Sequence, residues 1–215
     1  MVLARLQDLL GRINDVEPAV DLHSFLVTDP AAVAGWQGAE LPGTDETLFV
    51  HQDGDCLELA LYVHGGVLER LEARDPFDAL TEENLEDCCT AIEGVSHLLY
   101  VVWSAMRGRA VSLLELETQA EVDKFAALLV LAGARGHVEP DALLSRLFER
   151  VRFVEGLDAE RLERYTSANR FAARFCRRLS RRWLRRGREA HHGLFRELRA
   201  FYRLSHARKL AHAAH

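Results

Sequence analysis

Lysine is nearly missing from this chain of 215 residues: of its 27 basic residues only Lys124 and Lys209 are lysine, and the rest are arginine. Alanine and leucine are abundant too, as expected of a GC-rich bacterial genome. The arginine count therefore overstates any need for guanidinium chemistry. Cysteine is scarce. Cys56, Cys88, Cys89 and Cys176 form no CxxC pair, and adjacent residues point about 100° apart on a helix. A zinc knuckle or disulfide scaffold is disfavoured, and a reducing, cytoplasmic setting is expected. No apolar run approaches the roughly 18–20 residues of a membrane span. The opening MVLARLQDLLGRIND alternates apolar and charged residues at helical spacing, unlike a signal peptide. GxGxxG, the P-loop and GxSxG are all missing, which disfavours standard nucleotide loops and a serine nucleophile elbow.

What is present is ordinary globular composition, 48% hydrophobic and 28% charged. The formal net charge of -6 hides a split. Residues 170–215 carry 14 bases against 2 acids, a net of +12, and residues 1–169 carry 13 bases against 31 acids, a net of -18.

The pattern predicts an α+β, predominantly α fold. Residues 1–80 read as a small α+β region and residues 81–215 as an antiparallel bundle of about five helices. A helix is expected over 2–13, and residues 14–46, with Pro18, Pro30 and Pro42, read as loop with short pieces. TLFVHQ and DCLELALYV flank Asp53-Gly54, a hairpin near 47–63. VLERLEARD is a brief helix stopped by Pro76. Five longer helices follow: from about 81 to Arg107, from Ser112 to Gly133 or Gly136, from Pro140 to about Val154, from the Asp158 cap to about Arg186, and over about 189–213. Ser112 and Glu115 have the spacing of a capping box.

The second of these helices is the odd one. Projected at 100° per residue, Leu113, Leu114, Leu116, Ala120, Phe125, Ala127, Leu128 and Leu131 fill one face, and Glu117, Glu121 and Lys124 fall inside it. Glu115, Gln119 and Asp123 project to the opposite side, read as wet. Buried charge costs several kcal/mol unless paired or liganded. Partners are available on the preceding helix, where Glu93 and His97 flank the apolar face at i, i+4. The fourth helix adds Tyr165 and Asn169, which share a stripe with Ala172, Cys176, Leu179 and Trp183.

Three interpretations fit. One is a structural salt-bridge network, with Glu121 and Lys124 at i, i+3. Another is a pocket with Glu117 or Glu121 as general base and Tyr165 and Asn169 orienting a polar substrate. The third is a divalent metal centre of Glu93, His97, Glu117 and Glu121, the donor types of carboxylate-bridged centres in bundles. Its spacing departs from the usual Glu-x-x-His, and Lys124 would compete with a cation. Glu121 to Lys124, EVDK, also resembles a nuclease carboxylate–lysine pair, though that chemistry belongs on strands.

On the fourth helix Arg174, Arg177, Arg178, Arg181, Arg182 and Arg185 make a basic face, with Phe171 and Phe175 inside it as stacking platforms. Such a face suits an acidic protein, nucleic acid, or the chain's own acidic body. The leading functional expectation is a non-catalytic binding or regulatory module using this helix, and a homo-oligomer is compatible with it. The alternative is an enzyme or metal-binding protein using the buried cluster.

Overall fold

The computed structural model describes residues 1–33, 44–54, 56–133, 139–151, 158–184 and 191–214. They form an α+β fold dominated by helices. Helix α1 (Val2–Asn14) buries Leu3, Leu6, Leu10 and Ile13. It ends where Asp15 takes φ 55, a left-handed cap. A 3₁₀ turn at Leu22–Ser24 leads into strand β1 (Leu26–Val27) and the single turn of α2 (Pro30–Val33).

The hairpin lies where the alternation of Leu57, Leu59 and Leu61 places it. Strand β2 (Glu46–Asp53) runs antiparallel to β3 (Cys56–Val63). Gly54 takes φ 57 in the turn, a value that costs glycine nothing. The short β1 adds a parallel pairing along the other edge of β3, in the order β1-β3-β2. No periodicity in residues 14–46 announced that strand, because two residues carry no period.

Helix α3 (Gly65–Ala73) leads to the long core helix α4 (Leu85–Ala105). Asn84 caps the start of α4, a few residues later than expected: its side chain accepts from Thr81 N–H and donates to the carbonyls of Arg74 and Ala79. By length and composition α4 could cross a membrane, yet 67% of its most apolar window is buried within the protein. Gly108 ends the segment at φ 60.

Helix α5 (Leu113–Gly133) follows, with Ser112 Oγ accepting from Glu115 N–H. Helix α6 (Pro140–Phe148) starts with proline, and α7 (Ala159–Trp183) starts on the Asp158 cap. The expected fifth helix is two: α8 (His191–Tyr202) and α9 (His206–Ala214), broken around Ser205, a residue type that favours helix starts over interiors.

One apolar core joins α1, β3 and helices α3 to α8. At its edge α8 closes α1. Arg199 donates to the carbonyls of Arg12 and Ile13, and Arg203 to those of Asn14 and Asp15, at 2.9–3.2 Å. The last carbonyls of α1 are satisfied by guanidinium groups from about 190 residues away.

Candidate metal centre

Helix α5 has no wet side. It packs against α1, α4, α6 and α7, and Lys209 of α9 reaches it as well. Glu115, Gln119 and Asp123 are each 1–2% exposed, which corrects their placement on an outward face; Leu113, placed in the core, is exposed. A wheel projection assumes one solvated face, and a central helix lacks one. The consequence is two buried polar clusters, one on each flank of α5.

The first cluster is built by α4, α5 and the start of β2. Lys124 Nζ donates to Glu93 Oε2 at 2.9 Å and to Glu121 Oε1 at 2.7 Å. One turn further along α4, His97 lies between two carboxylates. Its Nδ1 is 3.3 Å from Glu46 Oε1. Its Nε2 faces Glu117 Oε2 at 3.5 Å and makes no hydrogen bond. One donor atom each from Glu93, His97 and Glu117 lie within 4.8 Å of one another. The His97 side chain is 7% exposed, that of Glu117 10%, and that of Glu93 27%. The group is thus largely enclosed but reaches water on the Glu93 side.

Charge here is unbalanced. Among the described residues, the four carboxylates Glu46, Glu93, Glu117 and Glu121 pair here with two cations, His97 and Lys124. Burial raises the carboxyls of Glu46 and Glu121 above their ordinary range. Burial also works against ionised Glu93, but Lys124 and His97 outweigh it and hold that carboxyl low. For His97, burial would strip the proton, and Glu46 and Glu117 overcome it, holding the imidazole well above 6.5. Lys124 is likewise held charged by Glu121 and Glu93 against its burial. Cys89 is close enough to feel these charges, but burial pushes its thiol up to about 12. The donor atoms that group together are carboxylate oxygen and imidazole nitrogen.

Glu46 is the member that sequence reasoning missed. It comes from β2, and a glycine admits it. A Cβ on Gly94 would lie 2.8 Å from Glu46 Cγ and 3.0 Å from Leu61 Cδ1. Glycine inside a helix costs roughly 1 kcal/mol against alanine, so its presence mid-helix signals a close approach. That was the available clue.

Of the other expected residues, Tyr165 belongs to the neighbourhood. Burial raises its hydroxyl, and the charges of Glu117 and Glu93 add to that. Asn169 does not join: its Nδ2 points to the Leu147 carbonyl of α6 at 3.5 Å. Glu121 is bound to Lys124 rather than grouped with the other three donors.

The second cluster joins α1, α4, α5 and α9. Asp123 accepts from Asn14 Nδ2 at 3.0 Å, Ser96 Oγ at 2.6 Å and Gln119 Nε2 at 2.9 Å. Gln119 Oε1 in turn accepts from Lys209 Nζ at 2.6 Å. That ammonium lies 4.1 Å from the Tyr100 ring centre, 5.1 Å from Phe201 and 5.9 Å from Tyr202. Tyr100 donates to Glu115, and Arg109 donates to both.

The basic face of α7 is partly committed within the chain. Arg177 pairs with Glu149 at 3.0 Å, while Arg178 and Arg182 share Glu197 at 3.8 and 3.6 Å. Arg174 and Arg181 are exposed; Arg185 lies outside the described residues. Phe175 is no surface platform, because it is fully buried and stacked on Phe201.

Among known proteins, no family model, no curated sequence and no solved structure matches this chain.

Proposed function

We propose that the protein binds one divalent transition-metal ion through Glu93, His97 Nε2 and Glu117. The observation that carries this is the grouping of one donor atom each from Glu93, His97 and Glu117 within 4.8 Å, with the buried His97 Nε2 making no hydrogen bond. A buried polar atom normally has a hydrogen-bond partner; among the described residues Nε2 has only the Glu117 carboxylate at 3.5 Å as an ion pair, and a metal ion among these donors would take the place of the imidazolium proton. Glu46 on Nδ1 supports the same reading, since metal-bound histidines commonly donate their other N–H to a carboxylate. One imidazole with two carboxylates suits Mn²⁺, Fe²⁺ or Zn²⁺, borderline or hard ions, over Cu⁺. Three protein donors would leave coordination positions for water or substrate. That makes hydrolytic or redox chemistry accessible to the site.

The buried cluster supports this reading over the basic-helix module. Arg177, Arg178 and Arg182 have acidic partners inside the chain. Among the described members of that face, Arg174 and Arg181 are exposed and would carry a role in binding an acidic protein or nucleic acid.

The test is direct. Chelator-treated protein titrated with Mn²⁺, Fe²⁺ or Zn²⁺ is expected to bind one ion per chain. At a free ion concentration about 100 times Kd the fold gains roughly 2.7 kcal/mol. His97→Ala and Glu117→Gln should each abolish binding. Wild-type protein that binds none of the three ions sinks the proposal.

Gly94→Ala probes the support shell. The added methyl must displace Glu46 from His97, and the loss of such a partner typically weakens metal affinity roughly 10- to 100-fold. Unchanged affinity by calorimetry would show that Glu46 does not orient the imidazole.

A further inference from the structure

We infer that Lys124 stands in the place of a second metal ion, so that its ammonium limits the centre to a single ion. This rests on the metal reading above and adds to it what sets the stoichiometry.

Composition gives the first argument. This chain uses arginine for all but two of its 27 basic residues, and yet a lysine occupies this position. A guanidinium is a planar fork, whereas an ammonium is a compact point charge with three donors. A point charge is what substitutes for an ion. Geometry gives the second argument. Nζ is clasped by one oxygen from each of two carboxylates, Glu93 at 2.9 Å and Glu121 at 2.7 Å, and the Lys124 side chain is 11% exposed. Glu93 belongs at once to this pair and to the group with His97 and Glu117. It therefore links two cation positions, as bridging carboxylates link paired metals about 3.5–4 Å apart. Charge gives the third. Four carboxylates in one enclosed cluster exceed what one divalent ion neutralises, and the ammonium covers part of the remainder.

Removing the ammonium while leaving the carboxylates should open the second position. Glu93 and Glu121 supply its oxygens. A lysine that merely ties α4 to α5 would leave no such vacancy with affinity for metal.

The experiment uses the full chain as wild type, Lys124→Gln and Lys124→Ala, each made metal-free and equilibrated with Mn²⁺. Bound ions are counted by elemental analysis, and the electron paramagnetic resonance spectrum is recorded. Wild type should carry one Mn²⁺ with the six-line signal of an isolated ion. Both variants should carry two, with the signal broadened by spin coupling. Adding Glu121→Gln to Lys124→Gln should return the count to one. Variants that fail to fold without metal are refolded in Mn²⁺ and counted in the same way.

Variants that still take one ion overturn the inference and leave the metal site standing. If neither wild type nor variants bind, both fail. Should wild type bind none and the variants one, the metal reading of the native chain fails, and Lys124 is upheld as the cation resident in the cluster.

Discussion

Asp123→Ala is expected to cost the fold about 3–5 kcal/mol. Its carboxylate accepts from Asn14 of α1, Ser96 of α4 and Gln119 of α5, and all four side chains are buried. Truncation leaves three donors facing a small void with no acceptor. Each buried group left unsatisfied costs roughly 1–3 kcal/mol, and local rearrangement recovers part of the sum. Asp123→Asn keeps the volume and one acceptor oxygen but turns an amide toward donors, so its loss should be smaller. Urea denaturation of the two variants beside wild type measures both. A loss below 1 kcal/mol for the alanine variant would mean that α1 is held to α4 and α5 by apolar packing alone.

The second large effect belongs to Lys209. It is 1% exposed, and burial pulls its amine down to about 7 from 10.5. Glu115 and Asp123 act to keep the proton, and Arg109 acts to remove it. Tyr100, Tyr202 and Phe201 complete the surroundings, and Gln119 Oε1 accepts from Nζ. Above pH 10.5 the amine is neutral in folded and unfolded chains alike, and burying it carries no protonation penalty. As pH falls from 10.5 to about 7, the unfolded chain takes a proton that the folded chain declines, and stability falls. Over that whole window the loss is on the order of 4–5 kcal/mol. Below about 7 both states are protonated and the penalty stays constant. The Tyr100 ring favours the charged form by about 2 kcal/mol when desolvated, which trims the span.

Lys209→Met removes this dependence. The methionine leaves Gln119 Oε1 without its donor, a cost that does not change with pH, so the variant is read by its slope: its stability should stay level between pH 10 and pH 7, where that of wild type falls. Chemical denaturation at both pH values reads the difference. A variant less stable than wild type at pH 7, with an unchanged pH slope, would show that Lys209 is held charged by its neighbours.

Much of the architecture was legible because its signals are local. Alternation marked β3, Gly54 the hairpin turn, and Asp158 and Pro140 the starts of α7 and α6. The candidate centre was half legible. Glu93 and His97 one turn apart, with Glu117 one turn before Glu121, place carboxylates and an imidazole on facing helices by spacing alone. Glu46 was not, since it arrives from a strand 47 residues earlier than Glu93, and helical spacing carries no information about it. Asp123 and Glu115 were assigned to solvent because nothing in the period of α5 reveals how many neighbours surround it. The arginines of α7 read as a docking surface because Glu149 and Glu197 lie on other elements, and their pairing is decided by packing.

The closure of α1 by Arg199 and Arg203 has a consequence for the order of folding. These contacts span almost the whole chain, so they form only after a loop of about 190 residues has closed, an entropic cost that rises slowly with length but delays the contact. During synthesis α1 is made well before its closing partner. Before α8 is made, α1 already has the 3₁₀ turn, α3 and α4 to pack on. The N-terminal helix is thus placed early by its leucines and locked late by two arginines.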